Sequence, residues 1–234
     1  MRTPTYAVFK FFMYVNLVET SFFLYFCRLI INNNNLMAGT KKIKTALVSV
    51  FHKDGLDELL ARLNAEGVKF LSTGGTQKFI ESLGYECQAV ESVTTYPSIL
   101  GGRVKTLHPK IFGGILARRG NEGDRRQMGE YGIPEIDLVI VDLYPFEQTV
   151  SDASSSEQDI IEKIDIGGIS LIRAAAKNFD DVVIIPGKEQ YAELLDILRR
   201  QGAETTRGQR RALACEAFGV SSHYDTAIRE WFAK

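Results

Sequence analysis

Short runs of apolar residues recur along the chain from residue 44 onward, separated by polar or glycine-containing segments. Five of these runs are rich in β-branched residues and apolar at successive positions, which is typical of strands buried on both faces of a parallel sheet. The runs occupy residues 45–51, 68–73, 112–117, 136–142 and 182–186. We therefore predict five strands in a mostly parallel central sheet.

Helical patterns lie between and after these runs. Residues 55–67 and 76–84 each end on a glycine suited to a left-handed C-terminal cap. Residues 189–202 and 207–234 are helical in pattern throughout, and we expect them to pack outside the sheet or at a subunit contact. The serine-rich residues 151–157 predict a loop leading into a serine-capped helix. The alternation predicts an α/β fold in which helices flank the sheet and further helices follow at the C-terminus.

Composition and charge exclude several classes of protein. The chain has 234 residues, 45% of them hydrophobic, which is enough for one large domain or two small ones. A net charge of -1 gives no global reason to expect nucleic acid as a partner. Cys27, Cys87 and Cys215 are odd in number and widely separated, and the histidines lack metal-ligand spacing. We expect no disulfide framework, no metal and a reducing, cytoplasmic location.

The first 36 residues differ from the rest, because they are rich in aromatic residues and end on four asparagines before Met37. A membrane anchor or a signal peptide is one interpretation. However, Lys10, Glu19 and Arg28 interrupt the apolar run, and no small-residue cleavage site follows it. We expect instead that translation starts at Met37, that the leader is not part of the protein, and that residues 37–234 form one domain without membrane association.

Candidate binding residues follow the first two predicted strands, where ligand sites of parallel sheets form. Residues 73–76 combine two glycines with two hydroxyls ahead of a helix, a pattern suited to an anion, although a capping turn without ligand has the same pattern. Ser49 lies in the first strand and Lys53 just after it, where an amine can meet the same phosphate.

Residues 101–109, GGRVKTLHP, form a basic segment. Arg103 and Lys105 alternate, so that on an extended backbone both would point to one side and suit a phosphorylated or carbonyl-bearing substrate. An exposed basic edge is the alternative, which the flanking Gly-Gly and His-Pro pairs disfavour because they build a shaped loop. Tyr144 precedes Pro145 at the end of a strand, so its hydroxyl can reach a cleft, although tyrosines more commonly lie in the core.

Residues 164–178, IDIGGISLIRAAAKN, place Asp165 before a Gly-Gly turn and Lys177 near the end of a predicted helix. The two charges either form a catalytic pair or simply complement the helix dipole. Twelve residues of helix span about 18 Å, too far for one reaction centre. The two side chains therefore meet only if the chain bends or if they meet across a dimer interface.

The motifs GGRVKTLHP, LYPF, IDIGG and RAAAKN, in this order, together with LVSV and STGGT before them, carry a family resemblance. Over residues 44–234 the chain resembles the inosine monophosphate cyclohydrolase domain of the bifunctional purine biosynthesis enzymes. The resemblance implies a methylglyoxal-synthase-like three-layer fold, a homodimer, and a reaction without metal or cofactor. We expect the transformylase domain of those enzymes to be absent after Lys234.

The implied reaction is the dehydrative closure of 5-formamidoimidazole-4-carboxamide ribonucleotide to inosine monophosphate. By matching position, Lys105 and Tyr144 would orient and polarise the formyl group, while Asp165 and Lys177 would move protons. The residues expected to hold the nucleotide, chiefly its phosphate, are Ser49, Lys53, Thr73, Gly74, Gly75, Thr76, Arg103, Thr106 and Gly167.

The chain departs from the family pattern at three positions. Phe51 and His52 stand where a small hydroxyl residue and an acid are more common, and Asp142 stands where asparagine is common. The main alternative function is a non-catalytic nucleotide- or phosphate-binding regulatory domain of the same fold. A methylglyoxal synthase and a membrane-tethered interaction protein are weaker alternatives. Retention of all four implied catalytic residues favours the enzyme.

Overall fold

The computed structural model describes residues 39–234, so the predicted leader and the boundary at Met37 lie outside the described residues. The strands of the described part are β1 (Lys41–Lys42), β2 (Thr45–Ser49), β3 (Lys69–Ser72), β4 (Cys87–Ala89), β5 (Leu138–Val141), β6 (Val183–Ile185) and β7 (Glu204–Thr205). The helices are α1 (Leu56–Ala65), α2 (Gly74–Ser82), α3 (Val90–Thr94), α4 (Pro109–Leu116), α5 (Glu122–Glu130), α6 (Phe146–Ser151), α7 (Glu157–Ile161), α8 (Gly167–Lys177), α9 (Tyr191–Gln201) and α10 (Arg207–Phe232). Short 3₁₀ turns lie at Leu100–Gly102 and Lys188–Gln190.

A five-stranded parallel sheet in the order β4-β3-β2-β5-β6 forms the centre of the fold, and β1 pairs with β7 in a separate antiparallel ribbon. The residues of β5 and β6 are all buried, as expected for strands covered on both faces. The strand β2 pairs with β3 on one side and β5 on the other. The chain leaves β2 toward β3 and leaves β5 toward β6, in opposite directions, so the crevice at the carboxyl ends of β2 and β5 is a topological switch point.

Four of the five predicted strands are confirmed as β2, β3, β5 and β6, but the prediction of a strand at residues 112–117 is wrong. These residues belong mainly to α4, which begins at Pro109. Proline favours the first helical position, and the preceding His108 caps the helix by accepting a hydrogen bond at Nδ1 from the N–H of Lys110, at 3.1 Å. Ile111 and Ile115, four residues apart, bury the same face.

A pair of glycines lets α4 pack closely on the segment before β5. A Cβ atom at Gly114 would lie 2.4 Å from the carbonyl oxygen of Pro134, and one at Gly113 would lie 3.0 Å from Cδ1 of Ile133. The close packing of α4 therefore requires glycine at these two positions. The apolar run that contains them resembles a strand when it is judged by β-propensity alone, and this is why the predicted strand is wrong.

The predicted helix boundaries are confirmed in several details. Gly67 and Gly84, which follow α1 and α2, have φ angles of 75° and 83°. Ser156 caps α7 in a reciprocal capping box with Asp159. The three-residue strand β4 was not among the predicted strands, because Cys87-Gln88-Ala89 is too short and too polar to show a strand pattern.

The C-terminal helices lie outside the sheet, and α10 packs along α8 and β6. The side chain of Arg210 in α10 is 1% exposed. Its guanidinium donates to four carbonyl oxygens, those of Gly39 at 2.9 Å, Phe179 at 2.8 Å, Asp180 at 3.0 Å and Thr205 at 2.6 Å. This buried cation thus ties the start of α10 to three other segments. Within residues 39–234 no helix combines the length and apolarity needed to cross a membrane.

Candidate functional site

A cleft of about 750 Å³ opens at the carboxyl ends of β2, β3 and β5, beside the switch point. Each strand contributes a residue at or just after its end, namely Ser49, Thr73 and Asp142. The basic loop 101–107 and the segment 161–168 complete the walls. The parallel order of the sheet therefore brings together segments that are distant in the sequence.

Most of the residues predicted from the sequence line this cleft. They are Ser49, Lys53, Thr73, Gly75, Thr76, Arg103, Lys105, Thr106, Tyr144, Asp165 and Gly167. Gly74 does not line it directly but lies beside it, since a Cβ there would be 3.8 Å from Nζ of Lys105. Lys177 is the one predicted catalytic residue that lies elsewhere on the described chain.

The glycine-containing turn at residues 73–76 begins α2, with Thr73 as its N-cap residue. The hydroxyl of Thr73 donates to Oε1 of Glu91 at 2.6 Å, and that of Thr76 donates to the carbonyl of Val50 at 2.9 Å. Both hydroxyl protons are thus engaged within the protein. The first N–H groups of α2 have no partner inside the helix, so the backbone is what this turn offers to an anion.

Two lysines enter the cleft from different loops. Nζ of Lys53 donates to the carbonyl oxygens of Val50 and Phe51. Burial lowers the pKa of Lys53, and the nearby Asp142 carboxylate partly opposes this effect. Lys105 folds back over Gly102, where a Cβ would lie only 2.6 Å from Cε of the lysine and where φ is 89°. A glycine at position 102 is therefore needed for this lysine conformation.

Arg103 and Lys105 both line the cleft, although not on the extended backbone that we predicted. A 3₁₀ turn at Leu100–Gly102 precedes them, and Arg103 has helical angles of -67° and -22°. The turn, and not strand alternation, brings the two cations to one side. The guanidinium of Arg103 pairs across the cleft with the carboxylate of Glu162, at the C-terminus of α7.

The half-buried Asp165 precedes α8, and its carboxylate oxygen Oδ1 accepts a hydrogen bond from the N–H of Gly168 at 2.6 Å. A Cβ atom at Gly168 would lie 2.6 Å from Oδ2, so a glycine is required at this position. Burial raises the pKa of Asp165. Hydrogen bonds from the N–H groups of Gly168 and Tyr144 act against this rise, the Asp142 charge adds to it, and the Lys105 charge opposes it. Asp165 is thus both a helix cap and a carboxyl group of the cleft.

The ring of Tyr144 lines the cleft and is 38% exposed. Burial raises the pKa of its hydroxyl, and the charge of Asp165 raises it further. The hydroxyl is therefore a neutral hydrogen-bond donor at physiological pH.

Lys177 is exposed at the end of α8, a continuous helix from Gly167 to Lys177. Eleven helical residues span about 16 Å, and the helix shows no break that would bring its two ends together. Of the two routes by which Asp165 and Lys177 could meet, only the route across a subunit interface remains. The next residue, Asn178, is buried and donates to the carbonyl oxygens of Ile115 at 2.7 Å and Ala117 at 3.1 Å, so part of the RAAAKN motif serves packing.

Several residues of the site carried no signal in the sequence. Nζ of Lys163 lies 5.7 Å from the ring centroid of Phe51 and 5.9 Å from that of Tyr144. The hydroxyl of Tyr224 in α10 accepts from the N–H of Asp165 at 2.9 Å and donates to the carbonyl of Lys163 at 2.6 Å. Both contacts depend on tertiary packing, so no local motif points to them. Among the described residues, no group of three or more His, Cys, Asp or Glu side chains is arranged to hold a metal ion.

Comparison with known proteins connects this geometry to two family descriptions. Residues 55–170 match the MGS-like domain, and residues 175–234 match the AICARFT/IMPCHase bienzyme. The crystal structure of ForH is similar in fold, with a TM-score of 0.68 and 35% sequence identity, covering 81% of this chain and 99% of that one.

Curated relatives extend the match to nearly the whole described chain. The bifunctional purine biosynthesis protein PurH of Bacteroides thetaiotaomicron is 67% identical over 196 residues, which are 84% of this chain and 38% of that protein. PurH of Chlorobaculum parvum is 46% identical over 192 residues, 82% of this chain and 37% of that protein. The chain thus spans less than two fifths of the length of these relatives. It belongs to the AICARFT/IMPCHase bienzyme family and contains the MGS-like domain of that family.

Proposed function

We propose that this chain is an inosine monophosphate cyclohydrolase, which closes the ring of 5-formamidoimidazole-4-carboxamide ribonucleotide. The carboxamide nitrogen bonds to the formyl carbon, the nitrogen loses a proton and the formyl oxygen gains one. The carbon–oxygen bond of this adduct then breaks, and the hydroxyl leaves as water with the proton of the formamido nitrogen, so that a carbon–nitrogen double bond completes the purine. The observation that carries the proposal is the convergence of Lys105, Tyr144 and Asp165 on one cleft beside the switch point.

Asp165 is suited to accept the proton of the attacking nitrogen. An amide nitrogen is a poor nucleophile, so a base near it assists the attack. Burial raises the pKa of Asp165 and brings it closer to the working range of a base near neutral pH. The N–H of Gly168 holds one carboxylate oxygen at 2.6 Å, which fixes the orientation of the group.

Lys105 and Tyr144 are suited to donate hydrogen bonds to the formyl oxygen. An ammonium and a neutral phenol both donate hydrogen bonds, so they can polarise the carbonyl before attack and assist the departure of water afterwards. Because the reaction is intramolecular, holding the nitrogen and the carbon in line removes much of the barrier. Proton transfer by positioned groups then contributes about 10² to 10⁴ in rate.

The phosphate of the ribonucleotide is assigned to the start of α2. The first N–H groups of α2, which have no partner within the helix, and the amine of Lys53 converge at the ends of β2 and β3. Arg103 and Thr106 line the same cleft. Arg103 pairs with Glu162, and nucleotide binding would exchange this carboxylate for an anionic group of the substrate.

Lys177 requires a second subunit if it takes part in proton transfer, since the unbroken α8 holds it at the far end from Asp165. We propose a homodimer in which Lys177 of one chain reaches the cleft of the other. Mixing the inactive variants Lys105→Ala and Lys177→Ala should then restore turnover, because each mixed dimer contains one complete site and one site that lacks both lysines. A mixture that is shown to contain mixed dimers and still stays inactive would refute the contribution of Lys177 from the partner subunit.

The test of the activity is to give the purified full chain the formylated ribonucleotide and to follow inosine monophosphate by absorbance. We expect turnover well above the uncatalysed rate, loss of turnover in Lys105→Ala, and parent turnover in the control Lys78→Ala, which changes an exposed lysine of α2. Folded parent protein that binds the nucleotide but does not convert it would refute the enzyme and favour a regulatory domain.

A further inference from the structure

Three residues at the ends of β2 and β5 form a cluster to which the proposed function assigns no role, namely Phe51, His52 and Asp142. The backbone N–H of His52 donates to Oδ2 of Asp142 at 2.8 Å. Ring atom Nδ1 of the same histidine lies 2.7 Å from the same oxygen. Two contacts from one residue thus converge on a single carboxylate oxygen.

This arrangement restricts the orientation of the carboxylate. The side chain of Asp142 lines the cleft and is 15% exposed. A carboxylate has about four acceptor positions on its two oxygens, and His52 uses positions on Oδ2. The oxygen Oδ1 has no hydrogen bond to the described residues. Asp142 is therefore held as an acceptor in a cleft whose lining also includes the cations Lys53, Arg103 and Lys105.

The neighbouring Phe51 extends the contact to the candidate catalytic tyrosine. Its ring lies edge-on to Tyr144, with centroids 5.6 Å apart, and edge-on to His52, with centroids 4.9 Å apart. Such edge-to-face pairs contribute about 0.5–1.5 kcal/mol beyond the burial of their area. The loop after β2 is thus joined to the loop after β5 at two successive positions.

The three members of this cluster are also the three positions at which the chain departs from the pattern of the family that it resembles. They are distant in the sequence, yet the structure places them in mutual contact. An acid is present in the β5 loop and a histidine in the β2 loop. The contacts therefore link the residues at these three positions into one cluster beside the cleft.

We propose that His52 is a positioning residue that orients the Asp142 carboxylate toward an N–H or O–H donor of the bound ribonucleotide. The proposal rests on the proposed function for the identity of the substrate. It assigns to His52 no contact with the substrate, and its effect on the reaction passes through Asp142.

The test exchanges the charge between the two loops and measures kcat and KM. His52→Asp places two carboxylates against each other, so kcat should fall about 100-fold, as expected for misplacement of a group near the reaction. KM should rise about tenfold, because the hydrogen bond from the ribonucleotide to Asp142 is lost. Asp142→Asn alone should lower kcat about tenfold. In the double variant His52→Asp/Asp142→Asn, kcat should recover to within about fivefold of the parent, because the acid has been moved and not duplicated.

The matched control is His223→Ala, which removes another histidine–carboxylate contact, that of His223 with Glu147 at 2.9 Å, both exposed and outside the cleft. Its kcat should equal that of the parent. Additive losses in the double variant, or parent kcat in His52→Asp, would overturn the inference. A purely structural role would change the melting temperature of the variants without this pattern in kcat.

Nuclear magnetic resonance gives a readout that does not depend on turnover. In the ¹⁵N-labelled full chain at about pH 8, where histidine is ordinarily neutral, His52 should carry its proton on Nδ1 and shift toward the Nε2–H form in Asp142→Ala. An Nε2–H form in the parent would overturn the inference. If the parent turns over no substrate, the proposed function fails, and the affinity for inosine monophosphate decides instead: it should fall about tenfold in His52→Asp and recover in the double variant.

Discussion

Asp165 caps a helix and is also the proposed catalytic base, and the substitutions Asp165→Ala and Asp165→Asn separate these two roles. Its Oδ1 accepts the N–H of Gly168 at 2.6 Å, a bond that the side-chain oxygen of asparagine can also accept and that alanine cannot. Loss of an N-terminal cap costs about 0.5–2 kcal/mol. We therefore expect Asp165→Ala to lower the free energy of unfolding by about 1–2 kcal/mol, and Asp165→Asn to lower it by less than about 1 kcal/mol.

Both substitutions remove the base, so kcat should fall by about 10² to 10⁴ in each. Urea unfolding gives the stability difference and the ring-closure assay gives kcat. Near-parent turnover in Asp165→Asn would show that the carboxylate serves only as a helix cap. Equal stability of the alanine and asparagine variants would show that the bond to Gly168 contributes little.

The raised pKa of Asp165 also predicts that the stability difference between the parent and Asp165→Asn depends on pH. Because burial raises the pKa of Asp165, the folded chain keeps this proton over a range in which the unfolded chain has lost it. The contribution of the group to stability is thus fully present below the ordinary carboxyl pKa and is lost as pH rises through the folded pKa. Asparagine does not titrate. The stability of Asp165→Asn relative to the parent should therefore rise from about pH 4 to neutrality, and a flat or falling difference would contradict the raised pKa.

Three further substitutions test the packing around the cleft. Gly168→Ala places a Cβ 2.6 Å from Oδ2 of Asp165 and should cut kcat about 100-fold, whereas Gly129→Ala, with no atom within 4 Å, should leave kcat unchanged. Arg210→Met removes the donor of four carbonyl oxygens, of which that of Thr205 is buried, and should cost about 3 kcal/mol in urea unfolding. Gly114→Ala meets a carbonyl oxygen at 2.4 Å and should cost about 1–3 kcal/mol by the same measurement. Losses below about 0.5 kcal/mol for the last two would contradict these contacts.

The strands of the sheet could be predicted because burial on both faces leaves a continuous apolar run in the sequence. The segment 112–117 shows the limit of that signal. Six apolar residues with a glycine pair resemble a strand, and the information that decides for a helix lies before them, in His108 and Pro109. The edge strand β4 has neither length nor apolar pattern, so only its pairing with β3 identifies it.

The residues of the candidate site also fall into a group that could be predicted from the sequence and a group that could not. Glycine turns and cations at strand ends were visible in the sequence, because local backbone requirements and the position of the parallel strands determine them. The side chains that pair with these cations across the cleft could not be predicted from the sequence. Arg103 finds Glu162 at a separation of 59 residues, and the contact depends on the packing of α7. The catalytic role of Lys177 remains a prediction, because it depends on whether a second subunit brings this lysine to the cleft.

The hydrogen bonds of Tyr224 link the cleft to the order in which the chain is synthesised. This residue lies 59 positions after Asp165, and its hydroxyl bridges the backbone on both sides of Ile164. On the ribosome, β2 to α8 emerge before α10, because the chain is synthesised from its N-terminus. The hydrogen bonds that hold the backbone around Asp165 can therefore form only after α10 has been synthesised and has docked.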